Sequence, residues 1–198
     1  MTLGVFGGSF NPPHLAHLIV AERVRDQMEL DTVLWIPAHI PPHKQFDPEL
    51  ASPAHRLAMV RLATQGNPGF EVSDIELRRP GPSYTVHTLM QLHEAFPNTR
   101  LFLILGGDSF EQLPSWYQPE RILELASLVV YHRPGADFSH VPEKFKKHAH
   151  FIRTPLLEIS GTTIRKLIRT GHSCRYLVPE AVRLYIEEHN LYRTTVPT

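Results

Sequence analysis

The 198-residue chain contains a single cysteine, Cys174, so it can form no internal disulfide and holds no cysteine-rich zinc module. It also lacks an excess of either charge, with 20 Lys and Arg against 20 Asp and Glu. Binding along a nucleic-acid backbone needs clustered, unbalanced cations, so no nucleic-acid partner is expected, and any anionic ligand must meet local positive groups. No run approaches the roughly 18 consecutive apolar residues of a membrane span, so no membrane partner is expected either. The apolar stretch 3–6 has no basic region before it and is too short for a secretory core, which leads to an expected cytoplasmic location. No Gly-Lys dipeptide occurs, which excludes a P-loop, and the first turn does not match the dinucleotide fingerprint. Gly-x-Ser-x-Gly is also missing, leaving Ser9 without the elbow that would make it a nucleophile.

What the chain does have is 13 histidines and 18 prolines, with several histidines beside proline or glycine rather than in periodic apolar segments. At roughly 150 residues per domain, the length predicts one domain over 1–198, with 155–198 as a helical C-terminal subregion. Residues 2–6 read as a strand, and a dense cluster of turn residues follows over 7–13. From 14 to 28, Leu15, Leu18, Ile19, Ala21 and Val24 recur at helical spacing. Residues 32–36 read as a strand. Ser52 and Pro53 then form an N-cap and first-turn proline for a helix with Leu57, Val60 and Ala63 on one face. Residues 70–73 and 75–77 look strand-like, and a helix follows with Val86, Leu89, Met90 and Leu92 on its buried face. The most apolar run, 101–105, predicts a central strand covered on both sides, and 127–131 another. Two helices, 161–170 and 179–189, close the chain, while 137–150 is the least periodic segment and reads as a surface excursion. Alternating strands and helices predict an α/β fold: a Rossmann-like doubly wound parallel sheet with a small C-terminal helical extension. Ligands in such sheets sit beyond the carboxyl ends of the strands.

Gly7, Gly8, Ser9 and Phe10 lie where the first strand turns into the first helix. Glycines there allow close backbone approach, and free N–H groups with the helix dipole favour a phosphate. His14 and His17, three apart, share one face of the first helical turn and could donate to phosphate oxygens as charge develops on them. With no acidic or cysteine partner in that motif, zinc ligation is not expected. Near the other end, Ser160 reads as the N-cap of a helix on which Arg165 and Arg169 share a face, a second place suited to a polyphosphate. Trp35 reads as packing. Arg56 and Arg133 read equally as anion contacts or surface cations, and Asp74, Glu76 and Arg78 are assigned no role.

Together, His14-Leu-Ala-His17 and the stretch Ile159 to Arg165 resemble the two signatures of the HxGH nucleotidyltransferase superfamily. Pro41-Pro-His-Lys44, Ser83-Tyr-Thr85, Gly107-Asp108 with Trp116 downstream, and Tyr176-Leu-Val-Pro179 follow the order of its bacterial nicotinate-nucleotide adenylyltransferases. Three positions depart from the family pattern: Asn11 where aspartate is frequent, Ala16 for the glycine between the histidines, and Gly161 for a serine. The resemblance implies adenylyl transfer from ATP to nicotinate mononucleotide, with magnesium entering on the nucleotide. It implies catalytic roles for His14, His17, Lys44 and Arg165. It places ATP against Gly7, Gly8, Ser9, Phe10, His14, His17, Asp108, Ile159, Ser160, Thr163 and Arg165. It places the acceptor against Lys44, Ser83, Tyr84, Thr85 and Trp116. Two other readings stay open: phosphopantetheine as the acceptor, and a non-catalytic nucleotide-binding protein of the same fold. Oligomeric state is left open.

Overall fold

The computed structural model describes residues 1–41, 47–132, 136–155 and 157–193. Strand β1 (Thr2–Gly8) leads to helix α1 (Leu15–Gln27), β2 (Thr32–Pro37), α2 (Pro53–Thr64), β3 (Phe70–Val72) and α3 (Thr85–Ala95). The second half runs β4 (Arg100–Gly106), α4 (Gly107–Gln112), a 3-10 turn (Leu113–Ser115), α5 (Pro119–Leu125), β5 (Ser127–His132), α6 (Glu143–Lys147) and β6 (Ala149–Arg153). Helices α7 (Gly161–Arg169) and α8 (Glu180–Glu188) follow.

The six strands form one sheet in the order β3-β2-β1-β4-β5-β6, and every pairing is parallel. Period-2 alternation explains why the central strands are apolar throughout. Leu3, Val5, Leu101, Leu103, Leu105, Leu128 and Val130 join one buried cluster with Val86, Leu89 and Leu92 of α3, Phe110 of α4 and Ile122 of α5. Phe6, Val33, Trp35, Phe102, Ile104 and Val129 join a second, with Val20, Ala21 and Val24 of α1. Gly4 is required at a close approach, since a Cβ there would lie 2.9 Å from Leu30 Cδ1 and 3.1 Å from Ile104 Cδ1. The chain therefore leaves β1 toward one layer and β4 toward the other. The strand order reverses between them, and the crevice opens beyond their carboxyl ends.

A third apolar cluster docks the end of the chain onto α2: Met59 and Ala63 pack with Ile164 of α7, Cys174, Val178, and Val182 and Ile186 of α8. Three expectations fail. Residues 75–77 are not a strand, because Leu77 N–H and Arg78 N–H both turn back to the Asp74 carbonyl (2.8 and 3.2 Å) and Ser73 Oγ accepts from Ile75 N–H. Local side-chain hydrogen bonding outcompetes the strand ladder there, and Asp74–Arg78 becomes a pair at helical spacing. Nor is 137–150 only a surface excursion: it holds α6 and the start of β6, and Val141 and Phe145 are buried in the first cluster. Met90, expected in the core, is exposed because the buried stripe of α3 runs through Val86, Leu89 and Leu92.

Candidate active site

The turn after β1 carries the first signature, and its backbone is held by aromatic packing. Phe10 has φ 44°, a left-handed conformation that is costly for a bulky side chain. Its buried ring is wedged edge-on to Phe6 (5.6 Å) and His17 (5.2 Å), with Trp35 at 5.2 Å. His14 is the N-cap of α1, and the His14 and His17 rings stack at 3.6 Å between centroids. His17 Nδ1 accepts the His14 backbone N–H at 3.2 Å, so the neutral ring carries its proton on Nε2. Burial pulls the pKa of His14 down to about 4. Burial holds His17 well below the usual imidazole range, and the neighbouring His14 lowers it further. Both rings are therefore neutral donors at pH 7 in the free protein. His14 Nδ1 is buried with no protein partner among the described residues, an orphan that asks for a ligand atom.

These residues line a cleft of about 690 Å³ with walls from both signatures. Ser9, Phe10, His14 and His17 come from the β1–α1 turn, Asp108 from the start of α4, and Ile159, Ser160 and Arg165 from the start of α7. Ser160 is the N-cap as expected, its Oγ accepting Thr163 N–H at 3.1 Å. Thr163 stands behind that cap, its hydroxyl 2.9 Å from Ser160 Oγ, and Thr162 rather than Thr163 faces the cleft. Arg165 is nearly buried. Nη1 donates to the Asn11 carbonyl at 2.9 Å, while Nε and Nη2 grip Glu49 at 3.2 and 3.0 Å. Arg169 pairs with the same carboxylate.

A second cavity of about 390 Å³ opens on the other side of the β1 terminus. Ser83, Tyr84, Thr85 and Trp116 line it, and so do Gly7 and Gly8, which the structure places here rather than in the first cleft. Trp116 Nε1 is buried without a protein partner among the described residues. The Ser83 hydroxyl is already engaged, accepting His39 N–H at 2.9 Å and bonding to Glu76. Ser9 and Ser109 line both cavities, so the two meet at the β1–β4 reversal. Lys44 and Arg133 lie outside the described residues.

Sequence reasoning missed four residues. Glu76 lies in the second cavity, accepting from Thr88 Oγ1 at 2.6 Å; burial pushes its carboxyl up, against the pull of hydrogen bonds from Thr88 and Ser83. Glu49 is the counter-ion of Arg165. Asn11 accepts from Ala51 N–H (3.0 Å) and Tyr192 O–H (2.8 Å) and donates to the Glu49 carbonyl (2.9 Å). Arg56 is neither an anion contact nor a surface cation but fully buried, with burial lowering its pKa to about 10. No sequence signal separated Arg56 from its exposed neighbours. The Thr88–Glu76 contact joins a turn to a helix 12 positions on, which periodicity cannot register.

A parallel sheet with this strand reversal, a glycine-rich first turn and paired histidines facing a helix-capped arginine defines a nucleotidyltransferase-type site. The chain belongs to the cytidylyltransferase-like family, whose model matches residues 5–167. Over nearly its whole length it is similar to probable nicotinate-nucleotide adenylyltransferases. It is 52% identical to that of Salinibacter ruber, with 98% of this chain and 100% of the relative covered. It is 44% identical to that of Thermomicrobium roseum, with 97% and 92% covered. Its fold matches Plasmodium falciparum nicotinic acid mononucleotide adenylyltransferase complexed with NaAD, at TM-score 0.79, 20% identity, and 96% and 97% coverage.

Proposed function

We propose that the protein transfers the adenylyl group of ATP to nicotinate mononucleotide, forming nicotinate adenine dinucleotide and pyrophosphate in NAD biosynthesis. The observation that carries this reading is the pair of cavities meeting at Ser9 and Ser109, one lined by imidazole, hydroxyl and guanidinium groups and one by Trp116 and apolar strand ends. The names of the curated relatives support it.

The acceptor's phosphate oxygen attacks the α-phosphorus of ATP, the new P–O bond forms as the bond to pyrophosphate breaks, and no covalent enzyme intermediate is needed. The protein therefore acts by alignment and charge stabilisation, and orientation alone supplies on the order of 7–11 kcal/mol. His17 Nε2–H and His14 donate to the ATP phosphates, with His17 nearest the α-phosphate. Arg165, held by Glu49 and Asn11, offers its remaining N–H groups to the same chain. Ser160 and the α7 N-terminus receive the terminal phosphates, with Thr163 holding the Ser160 hydroxyl from behind, and Asp108 receives a ribose hydroxyl. Lys44 is a further cation for the two anions. Trp116 offers a flat face to the pyridine ring beside Tyr84 and Thr85.

Mg2+ bound with ATP would neutralise phosphate charge. Among the described residues no three His, Cys, Asp or Glu side chains converge. No helix among the described residues is long and apolar enough to cross a membrane.

The test is pyrophosphate release from Mg-ATP with nicotinate mononucleotide, nicotinamide mononucleotide and phosphopantetheine offered separately. Preference for the nicotinate acceptor is expected. Activity with phosphopantetheine alone would keep the mechanism and overturn the acceptor, and silence with all three would overturn the enzymatic reading.

A further inference from the structure

Arg56 is among the largest fully buried side chains, and among the described residues none of its hydrogen bonds goes to a carboxylate. Each of its three nitrogens instead takes a carbonyl from a different segment. Nε donates to Ala51 at the entry to α2 (2.9 Å), Nη1 to Ser9 in the β1–α1 turn (3.0 Å), and Nη2 to His39 after β2 (2.9 Å). A buried guanidinium hydrogen-bonded only to carbonyls is costly to desolvate, the charge of Glu76 offsetting part of that cost, and a hydrophobic side chain of similar volume would fill the space more cheaply. What it achieves is geometric. Ser9 lines both cavities, and the His39 N–H is held in turn by Ser83 of the second cavity. One side chain thus fixes a wall of each cavity relative to the other.

The Ser9–Phe10 peptide shows how this reaches the chemistry. The bond is trans, and in a trans unit the carbonyl and the following N–H point in opposite directions. Drawing the Ser9 carbonyl onto Arg56 therefore turns the Phe10 N–H away from Arg56. Phe10 lines the first cleft, and its N–H has no backbone acceptor among the described residues. We propose that Arg56 is a positioning residue for adenylyl transfer: it registers the ATP cleft against the acceptor cavity by holding the Ser9–Phe10 peptide and the His39 segment, so that the Phe10 N–H faces the bound phosphates. The proposal rests on the adenylyl-transfer reading for its kinetic readout, while the Phe10 amide reports on it separately.

Two variants test it. Arg56→Lys keeps the charge but loses the fork that reaches three carbonyls, and Arg56→Gln loses the charge and keeps two donors. For variants that still unfold cooperatively, kcat falls about 100-fold, because each substrate still binds while the reacting atoms are misaligned. The KM values for ATP and for nicotinate mononucleotide stay within about threefold of wild type. In the wild type the Phe10 amide proton resonance moves downfield on adding Mg-ATP, and in the variants that movement falls by at least about half, as expected when the donor is no longer aimed. The proposal is overturned by a folded variant whose kcat stays within about threefold of wild type, or by a loss that appears wholly as a raised KM for either substrate. A Phe10 amide unmoved by Mg-ATP in the wild type also overturns it, and that measurement decides the matter if neither variant folds. Failure of the wild type to release pyrophosphate would overturn the functional reading alone, with the Phe10 response to Mg-ATP still deciding whether the peptide is placed as proposed.

Discussion

The stacked histidines make the protein's stability depend on pH in a defined direction. The His14 pKa falls from 6.5 to about 4 on folding, because burial disfavours the imidazolium. That difference of about 2.5 units is worth roughly 3 kcal/mol at about 1.36 kcal/mol per unit. Between pH 6.5 and about 4 the unfolded chain holds the proton and the native state does not, so stability rises with pH across that window and is lost as pH falls through it. His17 is shifted the same way and steepens the slope. Glu76 works in the opposite sense: its carboxyl is raised, so the native state keeps a proton that the unfolded chain releases above its ordinary value. Subtracting a variant isolates the histidine. Urea denaturation of the wild type and of His14→Gln from about pH 7 down to about pH 5 gives a difference in unfolding free energy that changes by about 2 kcal/mol in all, its slope approaching about 1.4 kcal/mol per pH unit well below pH 6.5. Parallel curves for the two proteins would refute the claim that His14 is buried in its neutral form.

Three further perturbations test the site. His17→Ala lowers turnover at least about 100-fold, the scale of losing one transition-state donor, and turnover within about threefold of wild type would remove His17 from the mechanism. Trp116→Ala raises the KM for the acceptor and leaves that for ATP nearly unchanged in steady-state assays, whereas equal effects on both would indicate packing alone. A Cβ at residue 161 would lie 2.7 Å from the Asn11 carbonyl oxygen, the atom that also receives Arg165 Nη1. Gly161→Ala therefore forces a backbone shift costing roughly 1–3 kcal/mol and raises the KM for ATP; an unchanged melting temperature and KM would show that the turn yields freely.

The parallel sheet was legible because its central strands carry unbroken apolar runs, such as 101–105, a pattern set by burial on both faces. The turn at 74–79 misled because Asp74, Glu76 and Arg78 alternate as they would along a strand, while the Ser73 and Asp74 side chains commit the backbone locally. Both signatures were visible as short, dense motifs, and the fold brings His14, His17, Ser160 and Arg165 to one cleft. What the sequence concealed are contacts across long separations, such as Glu49 with Arg165, 116 positions apart. It also concealed the inward turn of Arg56, since a charged residue on an amphipathic helix carries no mark of which neighbours will cover it.

The shared wall at Ser9 and Ser109 has a consequence for ligand design. Because the two cavities share that wall, a molecule joining an adenosine phosphate to a pyridine nucleoside gives up its free motion once yet gathers contacts from both. The same linkage works against the protein, since a joined dinucleotide must leave both cavities before the next turnover begins. An inhibitor that bridges the seam with a bond the protein cannot cleave would exploit that double hold, and its affinity would exceed that of either half by the effective concentration the bridge imposes.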